Sequence, residues 1–104
     1  MVFRVVLTMR VHPGREAEFE RTWLAASPTV TGHPANLGQW LARQDGEPAT
    51  YVITSDWVSE AKFREFESHE SHLAHRALLH PLRASGSMTT QHVVHSLTGT
   101  AADG

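Results

Sequence analysis

The opening stretch of the chain alternates in character over ten residues. Apolar side chains recur at every second position, and mostly polar ones stand between them. The apolar positions are Phe3, Val5, Leu7, Met9 and Val11. Successive side chains of a strand point to opposite faces, so this period of two predicts a half-buried β-strand over residues 2–11.

A helix and a loop are predicted after this strand. The Pro-Gly pair at 13–14 interrupts the alternation, and three glutamates at 16, 18 and 20 then surround an apolar stripe that includes Phe19 and Trp23. Early negative charge and an apolar stripe at helical spacing predict a helix that ends near residue 26. Residues 27–37 contain Pro, Gly and Asn without any period, which predicts a loop.

The middle of the chain predicts a hairpin followed by two helical stretches. Two apolar and β-branched runs, 38–43 and 50–57, flank a turn at 45–48. Ser59 is a plausible N-cap for a helix that carries Phe63 and Phe66, and a second helical stretch, 71–79, stops before Pro81. We expect the break between these two helices near Ser68.

The C-terminal part predicts one more strand. A Ser-Gly-Ser turn at 85–87 precedes a Thr- and Val-rich run over 88–97, and residues 98–104 are small and polar. We therefore expect one domain over residues 1–97 and a flexible C-terminal tail over 98–104.

The predicted element order is β-α-β-β-α-β. It is typical of a ferredoxin-like α+β fold, in which a four-stranded antiparallel sheet carries both helices on one face. Val2 and Val6 of the first strand and Val52 of the third point away from the other apolar residues of their strands, so neither face of the sheet is wholly polar. Because two helices cover only one face, we expect the protein to form a homodimer through the other face or to enclose a ligand.

Composition restricts the class of partner. The chain has 104 residues, of which 40% are hydrophobic and 19% charged, and its net charge is -2 with neutral histidines. This is a globular composition with no basic field for phosphates, so we expect no nucleic-acid partner, which leaves small molecules or proteins. The chain has no cysteine, and no apolar run is long enough to span a membrane. We expect a cytoplasmic protein that does not bind membranes.

Histidines are the unusual feature of the composition, because the chain contains eight of them. His69, His72 and His75 recur at three-residue intervals, so neighbouring members could share a helix face. Histidine is the natural base near neutral pH, and we expect His72 or His75 to be a candidate proton acceptor in a pocket. No carboxylate stands at a diagnostic spacing from these histidines, so no metal site is predicted.

Several other residues are candidates for binding an aromatic ligand. Trp57, at the end of the third strand, could line a flat pocket and aim its indole N–H at a substrate oxygen, although core packing would also explain it. Arginine could neutralise a phenolate or carboxylate, and polar loop residues often border a ligand. The predicted substrate-binding residues are Trp40, Tyr51, His33, Asn36 and Arg76.

The chain resembles the antibiotic biosynthesis monooxygenase family, which belongs to the dimeric α+β barrel (ferredoxin-like) group. The resemblance rests on His12-Pro13-Gly14-Arg15-Glu16 after the first strand, on the strand Tyr51-Val52-Ile53-Thr54-Ser55-Asp56-Trp57, and on the Ser59-Glu60 junction with Phe63 behind it. It extends over residues 2–97. Anthrone-oxidising members place a tryptophan at the end of the third strand, where Trp57 stands, and an asparagine four residues earlier, where this chain has Ile53.

This resemblance implies a monooxygenase that oxidises an anthrone-like aromatic polyketide in secondary-metabolite or pigment biosynthesis. It also implies that molecular oxygen is the co-substrate and that flavin, haem and metal are not used. One alternative on the same scaffold is a polyketide cyclase or a ligand-steering protein. A haem-degrading monooxygenase is a lower alternative, since His75 could ligate haem but Leu7 stands where a polar strand residue is expected. A non-catalytic dimeric binding module is a further alternative.

Overall fold

The computed structural model describes residues 1–101, with the side chains at positions 70, 71, 75 and 78 left aside. The four strands and the main helices follow one another in the predicted order, β-α-β-β-α-β. The elements are β1 (Val2–Val11), α1 (Glu16–Ala26), α2 (Pro28–Thr31), β2 (Asn36–Arg43), β3 (Thr50–Trp57), α3 (Glu60–Glu67), α4 (Glu70–Leu79), a 3₁₀ turn (His80–Leu82) and β4 (Arg83–Val93).

The four strands form one antiparallel sheet in the order β2-β3-β1-β4. The central strands are β1 and β3, and Leu7 lies opposite Ile53 in their register. The hairpin pairs β2 with β3, whereas β4 returns to the other side of β1. The predicted ferredoxin-like α+β fold is therefore confirmed.

The two faces of the sheet are unlike each other. Odd-numbered residues of β1 and β3, such as Val5 and Trp57, point toward the helices and are mostly buried. Even-numbered residues point away from the helices and form what we call the open face. Its apolar members are Val2, Val6, Trp40, Ala42, Val52 and, in β4, Val93, which pairs with Val2.

Local chemistry explains where the main helices begin and end. In α1, Phe19 and Trp23 are four residues apart and both are buried, so one stripe of the helix packs on the sheet. Ser59 caps α3 by accepting a hydrogen bond from the backbone N–H of Lys62 at 3.2 Å. The backbone of Ser68 ends α3, which confirms the predicted break between the two helical stretches.

Two boundary predictions were wrong. The segment 27–37 contains a short helix, α2, because Pro28 suits a first helical position and Val30 finds a buried site. The last strand runs over Arg83–Val93 and not over 88–97. Gly86 pairs with Met9 inside this strand, so pairing with β1 overrides the local turn signal at its start. At its other end, pairing stops at Val93 because its partner Val2 is the first residue of β1.

The core consists of two clusters on the helix side of the sheet. One cluster contains Phe19 and Trp23 of α1 and Tyr51 of β3. The other contains Phe66 of α3, Phe3 of β1 and Trp57 of β3. Leu7 packs against both clusters from the middle of β1. The core is therefore split along the sheet, and space remains between its halves.

Beyond β4, residues 94–101 contain no helix or strand. The tail predicted over 98–104 falls partly outside the described residues, since these end at Ala101. Among the described helices, none combines the length and the apolar character needed to cross a membrane.

Candidate functional site

A cavity of about 680 Å³ lies between the helix side of the sheet and the helices above it. Members of both core clusters line it, so it occupies the space between them. Small-molecule sites typically have volumes of roughly 300–1,000 Å³, are mostly apolar and contain a few polar groups. The main apolar lining residues are Val5, Leu7, Met9, Trp23, Ile53, Trp57, Phe63, Phe66 and Leu79.

Trp57 forms an aromatic wall of this cavity, as the sequence led us to expect. Its ring centroid lies 4.7 Å from that of Phe66 and 5.4 Å from that of Phe63. The indole N–H does not point at open space but donates a 3.0 Å hydrogen bond to Oγ of Ser55. The prediction that this N–H is aimed at a substrate oxygen is therefore wrong for this structure, since β3 places a hydroxyl two residues away on the same face.

His72 continues this wall. Its imidazole is half-buried, its centroid lies 4.6 Å from that of Phe66, and it lines the cavity. Phe66 thus contacts both Trp57 and His72, and the three rings form a continuous aromatic surface. The structure brings the leading pocket residue and one predicted proton acceptor to the same side of one cavity.

Arg76 also lines the cavity, one helical turn after His72 on α4. Its side chain is exposed, so the guanidinium can contact a ligand in the cavity from the solvent side. The side chain of His75, the other predicted proton acceptor, lies outside the described residues.

His33 lies behind the aromatic wall and does not line the cavity. Its ring contacts those of Trp57 and Phe66 at 5.8 and 5.4 Å, and its Nδ1 accepts a 3.1 Å hydrogen bond from the backbone N–H of Ala35. The predicted direct contact of His33 with substrate therefore does not fit the structure. The turn around Ala35 holds this ring against Trp57 instead.

Three further predicted substrate-binding residues also lie away from the cavity. Trp40 stands on the open face with 53% of its surface exposed, because it is an even-numbered residue of β2. Asn36 donates from Nδ2 to the backbone oxygen of Asp56 at 3.2 Å and so holds the start of β2. Tyr51 is buried against Phe19, and its hydroxyl donates to a carboxylate oxygen of Glu20.

Tyr51 gives a direct test of this placement, because it is the only tyrosine in the chain. Burial, with the hydrogen bond to Glu20 as the second cause, raises the pKa of its phenol to about 12. We expect absorbance at the phenolate band to rise with a midpoint near 12. Between about 10 and 12 the folded protein binds more protons than the unfolded chain, so the free energy of unfolding should fall as pH rises.

The Glu20→Gln variant is the matched comparison for this titration. Its phenolate midpoint should lie below that of the original protein but above 10, because burial, the larger cause, remains. Far-ultraviolet circular dichroism, recorded in the same titration, shows whether the protein is still folded. Ionisation near pH 10 in protein that is still folded would contradict the buried position of Tyr51.

The polar residues at the cavity that were not singled out from the sequence include Gln39 and Ser55. Gln39 and Ser55 are partners in the register of β2 and β3, and both line the cavity. The signal was present in the alternation, because Ser55 shares a face with Ile53 and Trp57. Ile53 itself presents only carbon to the cavity.

Within residues 1–101, apart from the four side chains left aside, no three His, Asp or Glu side chains come close enough together to hold a metal ion.

Comparison with known proteins agrees with the fold. The family model of antibiotic biosynthesis monooxygenases matches residues 2–78. The chain therefore belongs to the antibiotic biosynthesis monooxygenase family, as its resemblance indicated.

Two curated relatives come from Streptomyces. The chain is 30% identical over 70 residues to the 42.8 kDa protein in the whiE locus of Streptomyces coelicolor, and 30% identical over 86 residues to protein SchA of Streptomyces halstedii. These matches cover 67% and 82% of this chain but only 18% and 23% of those proteins. The chain thus corresponds to a small part of each relative.

Among solved structures, SnoaB, a cofactor-independent oxygenase from Streptomyces nogalater, has a similar fold. The TM-score is 0.82 at 21% identity, and the match covers 94% of this chain and 98% of that one. This similarity supports the fold.

Proposed function

We propose that this protein is a cofactor-independent monooxygenase that oxidises an anthrone-like aromatic polyketide. The observation that carries the proposal is the aromatic wall of Trp57, Phe66 and His72 on one cavity of suitable volume. Membership of the antibiotic biosynthesis monooxygenase family and the likeness to SnoaB support the same class of reaction.

The proposed reaction begins with proton removal. A flat phenolic substrate lies against Trp57, and His72 accepts a proton from the activated CH₂ carbon between the substrate's rings. The resulting carbanion supplies electrons to O₂, and a C–O bond forms. The O–O bond then breaks as the second C–H proton is lost, and one oxygen remains as a carbonyl while the other leaves in water.

Isotopically labelled dioxygen tests this reaction. Mass spectrometry of the quinone formed from a reduced anthrone should show one labelled oxygen per molecule, formed faster than in a control without protein. A rearranged or cyclised product formed at the same rate without oxygen would refute monooxygenase activity.

A second function, polyketide cyclisation on the same surface, is favoured by one observation. Ile53, four residues before Trp57, presents no hydrogen-bonding group to the cavity. The aromatic wall therefore offers a base, His72, without a polar side chain at position 53. A cyclase would use His72 to form a carbanion that attacks a carbonyl of the same substrate. Such a reaction proceeds without oxygen, which the labelling experiment distinguishes.

The functional unit we propose is a homodimer formed through the open face. Trp40 on β2 is 53% exposed there, and Val6 and Val52 lie on the same face of the two central strands. Arg4 binds Asp56 through two hydrogen bonds of 2.7 and 2.8 Å, so the main charges on this face are already paired within one chain. Burial of this face against a second copy would leave no unpaired carboxylate at this position.

Sedimentation velocity tests this dimer. The original chain should sediment as a dimer, and Trp40→Glu should sediment as a monomer because it places a charge in the contact. Leu24→Glu is the matched control, since Leu24 is 69% exposed on α1 and lies away from the open face. A monomeric original chain, or an unchanged dimer in Trp40→Glu, would contradict the proposed interface.

A further inference from the structure

The cavity contains a pair of hydrogen-bonding side chains that the aromatic wall does not account for. Gln39 and Ser55 lie opposite each other on β2 and β3, on the helix side of the sheet. Directly opposed residues of an antiparallel pair have Cβ atoms roughly 4.5–5.5 Å apart. The two side chains can therefore reach one ligand atom.

The amide of Gln39 supplies the first donor. Its Nε2 is buried, and among the described residues it has no hydrogen-bond partner. A buried N–H group that lacks a protein partner is costly unless a ligand or an ordered water accepts from it. The position of this amide on the cavity lining means that its acceptor must come from the cavity.

The hydroxyl of Ser55 supplies the second donor. Ser55 is 9% exposed, and its Oγ accepts the 3.0 Å hydrogen bond from the indole N–H of Trp57. A serine hydroxyl has one proton to donate, and no described residue accepts it. A hydroxyl that already accepts a hydrogen bond is polarised and becomes a better donor in a low-dielectric site.

We propose that Gln39 and Ser55 together bind a substrate oxygen, and that this oxygen is a phenol, phenolate or enolate oxygen of a flat aromatic ligand. Both groups would be donors to the same atom, so they favour an oxygen that carries negative charge. Trp57 contributes through Ser55, as a positioning residue, and not by direct contact with that oxygen.

This inference rests on the proposed function for its role in the reaction. When a proton leaves the carbon between the substrate's rings, the negative charge spreads to the conjugated oxygen. Donors that are already in place at this oxygen stabilise that charge without any reorganisation. The pair thus determines which substrates react, because a ring system without an oxygen at this position gains nothing from it.

Binding of alizarin tests the pair without any oxidation. Alizarin is a hydroxyanthraquinone, and its colour changes when a phenol ionises, so absorbance reports the pKa of the bound dye. We expect the bound dye to ionise at lower pH than the free dye. Gln39→Leu and Ser55→Ala should each raise the pKa of the bound dye by about one unit, as expected for loss of a hydrogen bond to a charged acceptor.

Conservative variants separate loss of the donor from loss of packing. Ser55→Thr keeps the hydroxyl and should keep the low pKa of the dye, whereas Gln39→Glu replaces a donor by an acceptor and should raise it further. Gln44→Leu and Ser96→Ala are matched controls at exposed positions outside the cavity. Thermal unfolding of each variant, measured without dye, shows that the fold is retained.

The outcomes separate this inference from the proposed function. A dye pKa that responds to Gln39 and Ser55 supports the pair even if the protein consumes no oxygen. If the dye fails to bind, or if it binds and its pKa is the same in all variants, the pair is overturned and solvent alone satisfies the Gln39 amide.

Discussion

Replacement of His72 by alanine is expected to lower the rate of substrate oxidation by roughly 10²–10⁴-fold while the protein remains folded. His72 is the described residue that combines a basic side chain with a place on the aromatic wall, 4.6 Å from the ring of Phe66. Alanine removes the proton acceptor, so carbanion formation would depend on solvent. The rate is measured as oxygen consumption or quinone absorbance with a reduced anthrone.

His95→Ala is the matched control for this prediction, because His95 is exposed beyond the end of β4. It should oxidise substrate at the original rate. An unchanged rate in His72→Ala would assign proton removal to a different group.

Replacement of Trp57 by alanine is expected to lower the free energy of unfolding by about 3–5 kcal/mol, as for other large aromatic residues removed from a core. Trp57 is 1% exposed and contacts Phe63, Phe66 and His33. The change would also widen the cavity and remove the flat surface against which a substrate lies. Urea unfolding followed by circular dichroism measures the loss.

Two variants make the result specific. Trp57→Phe keeps much of the ring packing and loses the 3.0 Å hydrogen bond to Ser55, so its stability should lie between those of the original and alanine proteins. Leu24→Ala, on the exposed side of α1, should change the free energy of unfolding by no more than about 0.5 kcal/mol. A loss below about 1 kcal/mol in Trp57→Ala would show that the wall is not part of the core.

The fold could be predicted because its main elements carry strong periodic signals. The alternating apolar residues of β1 and the pair Phe19 and Trp23 of α1 are buried on the same side of the sheet, as their spacing predicts. The start of β4 could not be predicted in the same way. Local chemistry at the Ser-Gly-Ser segment favours a turn, and only the pairing of Gly86 with Met9 makes it a strand.

The site was predictable in part for a similar reason. Trp57 was found from the family resemblance and its place at the end of β3, and His72 from the spacing of the histidines. The structure places both on one cavity. Trp40 was wrongly predicted to bind substrate. Which face of the sheet a β2 residue occupies depends on the register of β2 with β3, and this register is irregular between Asn36 and Gly38. Tyr51 shares the correct face but lies too far toward α1, where Glu20 binds its hydroxyl.

Oxygen consumption by chelator-treated protein is the measurement that tests the central proposal most directly. The protein is stripped of metal, mixed with a reduced anthrone-type polyketide and compared with a solution that contains no protein, because such substrates oxidise slowly by themselves. We expect oxygen uptake well above this control and a large loss of uptake in His72→Ala. Binding of the anthrone with uptake no faster than the control would contradict cofactor-independent oxygenation and favour a cyclase or ligand-steering function for the same cavity.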